Sequence, residues 1–183
     1  MWLTTRTVWP AWDRSSRSHA RFTRCEASAK LSPPGGACPG SRRQAAAAAG
    51  QLGLTAAIDD DLRETDFGEW DGFTLEEIQQ RWPKAAAAWR RDPQQAPPGG
   101  ESFADTSHRV NRACDRLLRD HGGQTVLVVS HVTPIKIMLC RALGVPLSTV
   151  YRLYLGSACI NEIQWYGRGF AAVHRVNDTS HLL

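Results

Sequence analysis

Two stretches of this chain hold side chains suited to acid–base or phosphoryl chemistry. The first is the apolar run Thr125-Val126-Leu127-Val128-Val129, which ends in Ser130-His131 and continues into Val132-Thr133-Pro134. A continuous β-branched run is expected of a strand buried on both faces. Thr133 as a cap, with Pro134 at the first helical position, predicts a helix directly after it. A histidine at such a turn sits at the carboxyl edge of an α/β sheet, where ligands bind. Helix N–H groups beside it favour an anion, to which His131 could donate a hydrogen bond. The same position equally suits a histidine packed at a strand end for structural reasons. The second stretch is Leu62-Arg63-Glu64-Thr65-Asp66-Phe67-Gly68-Glu69-Trp70-Asp71-Gly72. Its acids are interleaved with large apolar residues and two glycines, unlike a solvated charge run. A carboxyl held against Phe67 and Trp70 would have a raised pKa, suiting it to protonate a leaving group. The alternative is a surface loop anchored by its aromatics.

Alternating helices and strands must position these groups. An Ala-rich helix is expected over 41–52, and a strand end leading into an irregular loop over 59–72. Thr74-Leu75-Glu76-Glu77 is a capping box that opens a helix stopping before Pro83. A short helix follows over 84–91, then the turn-rich Pro97-Pro98-Gly99-Gly100. Ser102 with Asp105 caps a further helix that buries Phe103, Val110, Cys114, Leu117 and Leu118. The helix after His131 ends at Gly144 and Pro146. Two more strands are expected over 159–166 and 171–175, joined at Gly167-Arg168-Gly169. This order implies an α/β sandwich of helices around a largely parallel sheet.

The 183 residues fit one domain, and 42% hydrophobic with 22% charged residues is ordinary for a protein with a buried core. Net charge is +4, but the excess belongs to the N-terminal part. Eight Lys or Arg against two acids precede Gln44, leaving the rest slightly acidic. That remainder has no basic patch with interleaved aromatics, so nucleic acid is not expected as a partner of the domain. The basic N-terminal tail, with Trp2, Trp9 and Trp12, leaves a nucleic-acid-binding arm as a separate possibility. Its Pro/Gly cluster over 32–40 and lack of periodicity instead predict loop or disorder over 1–40. Five cysteines, an odd number without metal-ligand spacing, include Cys114 and Cys140 in apolar helical patterns, where buried reduced thiols are expected. Without an apolar run of membrane-spanning length or a secretory h-region, a cytoplasmic protein is expected.

Three motifs in order carry a family resemblance. Glu64-Thr65-Asp66-Phe67-Gly68-Glu69-Trp70-Asp71-Gly72, Pro98-Gly99-Gly100-Glu101-Ser102 and Val128-Val129-Ser130-His131-Val132-Thr133-Pro134-Ile135 resemble the histidine phosphatase (phosphoglycerate mutase-like) superfamily. Over residues 51–183 the chain is most similar to the acid phosphatase domain of actinobacterial ribonuclease H–acid phosphatase fusions, and it is similar to α-ribazole phosphatases. The resemblance implies a three-layer α/β/α sandwich with a largely parallel sheet. It also implies a phosphomonoesterase that works through a phosphohistidine on a small phosphorylated substrate, with neither metal nor other cofactor. By motif, Glu64 takes the proton-donor role and His131 the role of the second histidine. Val132 and Thr133 offer backbone donors to the phosphate, and Glu101 and Ser102 line the substrate mouth.

The family begins with an apolar strand ending in Arg-His-Gly, and no such triplet occurs in these 183 residues. His19 is the only early histidine, with no strand before it and no glycine after it. Arg43 stands where the family places its second phosphate-binding arginine, but without the preceding Ser-Ser-Pro-Leu-like turn. The expected organisation is therefore an aberrant or disordered segment over 1–43, read out of frame, and an N-terminally incomplete domain over 44–183. The first central strand of that domain is expected to be missing. Two functions follow from the resemblance: a phosphatase, or a non-catalytic relative that binds a phosphorylated ligand or a partner.

Overall fold

The computed structural model describes residues 2–8, 22–27, 39–166 and 169–182. Thr125–Val129 forms the expected strand and is β4 of a six-stranded sheet. The other strands are β1 (Trp2–Val8), β2 (Phe22–Ala27), β3 (Ala56–Ala57), β5 (Ile160–Tyr166) and β6 (Ala171–Asp178). Their order is β3-β2-β4-β1-β5-β6. Five helices accompany them among the described residues: α1 (Pro39–Gln51), α2 (Leu75–Arg81), α3 (Pro83–Trp89), α4 (Phe103–Asp120) and α5 (Val132–Leu143).

Side chains alternate across a strand, and β4 uses both of its faces. Val126 and Val128 join a core with Val110, Ala113 and Leu117 of α4 and Ile135, Met138 and Leu139 of α5. Val129 packs with Ala45 and Ala49 of α1, and Leu127 lies against the same group. Helix α1 thus covers one face of β4, and α4 with α5 covers the other. Each fully buried Val or Ile contributes about 2 kcal/mol of transfer free energy, so the apolar run is anchored from both sides. Cys114, Cys140 and Cys159 are free and buried, as expected of the first two; burial pushes the Cys114 thiol up to about 12.

Three expectations are corrected. The 1–40 segment is not wholly loop, since Trp2–Val8 and Phe22–Ala27 are strands. The place of the missing central strand is filled, because β1 lies between β4 and β5 and pairs with both. Backbone pairing requires no side-chain period, β1 is rich in β-branched residues, and an unpaired β4 or β5 would leave buried N–H and C=O groups without partners. The sheet is mixed rather than largely parallel: three pairings are parallel and two antiparallel. The antiparallel pairs are β5 with β6, joined by a short connection, and β1 with β4. His19 and the 32–38 part of the Pro/Gly cluster lie outside the described residues. Among the described residues no helix is long and apolar enough to cross a membrane.

The predicted caps are in place. Thr74 Oγ1 accepts the Glu77 N–H at 3.3 Å and opens α2. Ser102 Oγ accepts the Asp105 N–H at 3.0 Å and opens α4. The cap of α5 differs from expectation: His131 holds that position with extended backbone, and Thr133 lies inside the first turn. Pro134 is tolerated there because the first N–H groups of a helix have no intrahelical partner.

Candidate active site

The loop after β3 carries Glu64, and a buried arginine shapes it. Arg109 of α4 is only 4% exposed. Its Nη1 donates to the carbonyls of Asp61 at 2.9 Å and Arg63 at 2.7 Å, and its Nη2 to that of Glu64 at 2.9 Å. Nε and Nη2 also meet the Glu101 carboxylate at 3.1 and 2.9 Å. The planar fork of a guanidinium can satisfy five acceptors at once, which no other side chain could do here. Glu101 additionally accepts from Arg63 Nη2 at 2.7 Å and from the Asp66 N–H at 3.0 Å. Burial alone would raise the Glu101 carboxyl, but hydrogen bonds from Arg109 and the Asp66 N–H, with the charges of Arg109 and Arg63, hold it below its ordinary value.

The same loop is laced to the 97–101 turn. Glu101 N–H donates to Asp66 O at 2.7 Å, and Glu69 N–H to Pro98 O at 2.9 Å. The approach is close enough to require glycine on both sides. A Cβ on Gly68 would lie 2.3 Å from Pro98 O, and one on Gly100 would lie 2.4 Å from Asp66 O. From the sheet, the buried Ser130 hydroxyl donates to Leu62 O at 2.6 Å. Loop, turn, helix α4 and the end of β4 are thereby locked together around Glu64.

The Glu64 side chain reaches the start of α5. Its Oε1 accepts the Thr65 N–H at 2.8 Å and the Thr133 N–H at 3.3 Å. The carboxylate therefore occupies one of the free N–H donors that a helix N-terminus presents to anions. Lys136, one turn along α5, is part of the same setting. Burial lowers the Lys136 ammonium from its ordinary value, and the nearby Glu64 carboxylate partly opposes this. The Glu64 carboxyl faces N–H donors, with the Lys136 ammonium near enough to feel its charge. Phe67 and Trp70 instead stack into a cluster around Trp89, at centroid distances of 6.4 and 5.7 Å.

Beside Thr133 opens a cavity of about 400 Å³, lined by Leu75, Trp89, Arg90, Phe103, Thr133, Lys136, Val150 and Tyr151. Of the residues expected at a substrate mouth, Glu101 is held by Arg109 and Arg63, and Ser102 is a buried cap. Their neighbour Phe103 lines the cavity instead. His131 is half-buried at the α5 cap, two residues from Thr133, and Val132 is 37% exposed beside it. Arg43 is exposed on the first half of α1. Glu64, His131, Val132 and Thr133 are thus gathered at the carboxyl end of β4. Among the described residues no group of three His, Cys, Asp or Glu could hold a metal ion.

Sequence reasoning missed Arg109, Lys136, Trp89 and the Ser130 hydroxyl. Arg109 carried one usable signal: it lies on the α4 face that buries Thr106, Val110 and Ala113. The others depend on which segments meet across the fold.

Residues 41–179 match the histidine phosphatase superfamily (branch 1). Bifunctional protein Rv2228c of Mycobacterium tuberculosis is 46% identical over 138 residues, 75% of this chain but 38% of that protein. This chain therefore spans well under half of that relative's length. Phosphoserine phosphatase 1 of Hydrogenobacter thermophilus is 33% identical, with 70% of this chain and 61% of that protein covered. Bacillus stearothermophilus YhfR shares the fold, with a TM-score of 0.75 at 22% identity over 100% of this chain and 99% of its own. The motifs around Glu64 and His131, the α/β fold that joins them and the match over most of the length agree, and the chain belongs to the histidine phosphatase superfamily.

Proposed function

We propose that this domain is built for metal-independent phosphomonoester hydrolysis of the acid phosphatase type, with the phosphoryl group seated at the N-terminus of α5. The observation that carries this reading is the contact between Glu64 Oε1 and the Thr133 N–H beside His131. The contact supports the reading because it puts a carboxyl that could donate a proton beside free helix N–H groups of the kind that favour anions. In the reaction, an imidazole nitrogen attacks phosphorus while the bond to the alcohol oxygen breaks, and Glu64 gives its proton to the leaving alkoxide. Water then attacks the phosphohistidine, returns a proton to Glu64 and releases inorganic phosphate. His131, the N–H groups of Val132 and Thr133 and the guanidinium of Arg43 hold the phosphoryl oxygens as charge develops on them. We read the architecture as a three-layer α/β/α sandwich and place the domain in the cytoplasm, where its buried free thiols stay reduced.

A second reading applies to this particular chain: a phospholigand-binding relative without turnover. The motivating observation is β1, which holds the place between β4 and β5 but contains no histidine. It also runs against β4, with Trp2 opposite Val129, so the end of β1 nearest His131 is its beginning. We read residues 1–43 as foreign to the domain that follows. Replacing residues 1–42 with a family strand bearing Arg-His-Gly, so that Arg43 stays in place, is the decisive experiment. Restored hydrolysis of a generic phosphate ester is expected. In the repaired protein Glu64→Gln should slow esters with poor leaving groups far more than activated ones. Equal losses on both would remove Glu64 from the donor role, and no hydrolysis after repair would favour the binding reading.

A further inference from the structure

We propose that Lys136 is a further phosphate-binding residue of this site, its ammonium exchanging the Glu64 carboxylate for the phosphoryl group when a substrate arrives. This rests on the phosphoryl seat at the Thr133 N–H described above and adds a cation to it. Lys136 stands three residues after Thr133 on α5, about 4.5 Å along the helix axis and on the same face. Side chains of a helix tilt toward its N-terminus, and long ones lie over the preceding turn. That geometry carries the Lys136 stem back toward Thr133, and both residues line the cavity of about 400 Å³. Lys136 is half-buried, whereas Arg90, the other cation on the cavity wall, is exposed.

None of the described residues lining that cavity is acidic. The carboxylate whose charge bears on the Lys136 ammonium is that of Glu64, which sits 3.3 Å from the Thr133 nitrogen. Carboxylate, helix N–H and ammonium are thus gathered at the start of α5. Glu64 can protonate a leaving alkoxide only when it holds a proton, and a protonated carboxyl no longer balances Lys136. A half-buried ammonium without a counter-charge is costly. A phosphoryl group on the Thr133 N–H restores that counter-charge, with oxygens that accept from the ammonium. Lys136 then stays paired throughout, first with the carboxylate and afterwards with the phosphoryl group. A lysine that served only to cover apolar surface would turn its charge to water and answer to neither anion.

The test is equilibrium binding of inorganic phosphate to the full 183-residue chain and to its Lys136→Met, Lys136→Gln and Lys136→Arg variants. Met and Gln should each weaken binding on the order of tenfold, the worth of one partly buried charge pair. Two neutral replacements of different polarity keep the test open where one of them folds poorly. Arg keeps the charge and should keep most of the affinity. The exchange itself is read from a double-mutant cycle with Glu64→Gln. Without the carboxylate the ammonium gives up no partner on binding, so Lys136→Met should cost more affinity in Glu64→Gln than in wild type. Unchanged affinity in both neutral variants, an equal loss in Lys136→Arg, or equal costs in the two backgrounds would overturn the role of Lys136 and leave the phosphoryl site standing. A loss confined to esters of an acidic alcohol, such as 2-carboxyethyl phosphate, would move Lys136 to the alcohol and overturn it too. No phosphate binding by wild type or by Glu64→Gln would remove the phosphoryl site and the role of Lys136 together.

Discussion

The Glu64 carboxylate sits where an anion would bind, and this makes a prediction at the scale of one residue. In the structure it accepts the Thr133 N–H, so an incoming phosphate must displace it or face its charge. Removing that charge with Glu64→Gln should tighten binding of inorganic phosphate about fivefold, corresponding to roughly 1 kcal/mol of repulsion at short range in a partly hydrated site. Equilibrium dialysis with labelled phosphate measures this directly; unchanged or weaker binding would place the phosphate elsewhere. The Glu64 loop stood out in the sequence because acids rarely alternate with Phe and Trp in a solvated loop, and the family motif singled out Glu64 within it. Its surroundings did not, because the Thr133 N–H comes from a segment 69 residues away. Glu101 and Ser102 were found by motif, yet their bonding is to the protein itself, a distinction that only neighbours in space reveal.

Arg109 ties together the elements around the site. Its five hydrogen bonds gather three carbonyls of the Glu64 loop and the Glu101 carboxylate. Arg109→Leu should destabilise the protein by about 3 kcal/mol, because partners of a buried charge are left unsatisfied. Urea denaturation gives the loss; a change under about 1 kcal/mol would mean that water replaces the guanidinium. Helix boundaries were legible where capping chemistry is local, as at Thr74 and Ser102. The cap of α5 was not. Thr133 and Pro134 mark a helix start, but the helix begins two residues earlier, and the Thr133 N–H is taken by Glu64 across the fold.

At the scale of the whole molecule, charge pairing sets a dependence on pH. Burial would raise the Asp61 carboxyl, but hydrogen bonds and charges of Arg116 and Arg112 hold it below its ordinary value of 3.8. Glu101 is likewise held below 4.5. In the unfolded chain these groups take up protons near their ordinary values, and in the folded protein only at lower pH. The unfolded state therefore binds more protons in that window, and stability falls as pH drops through it. The thermal midpoint should be flat from neutrality to about pH 5 and fall below that. Glu101→Gln should lower it at neutral pH and make the acid decline shallower; an equally steep decline would show that Glu101 is not one of the responsible groups.

What the sequence determined by itself was whatever depends on near neighbours along the chain. The apolar run of β4 demands burial on both faces, capping boxes start α2 and α4, and Gly144 stops α5 in a left-handed conformation with φ of 64°. Family motifs added Glu64, His131 and their order. Tertiary structure decided the rest, because strand pairing is a contest among backbones that carry no sequence label. It placed Trp2–Val8 between β4 and β5 and made the sheet mixed. It also turned an ordinary helix arginine into the clamp of the Glu64 loop, and brought Leu75, Trp89, Lys136 and Tyr151 from four separate elements to one cavity. Those groupings follow from packing between segments far apart in the chain, where the favourable contact exists only once both sides are folded.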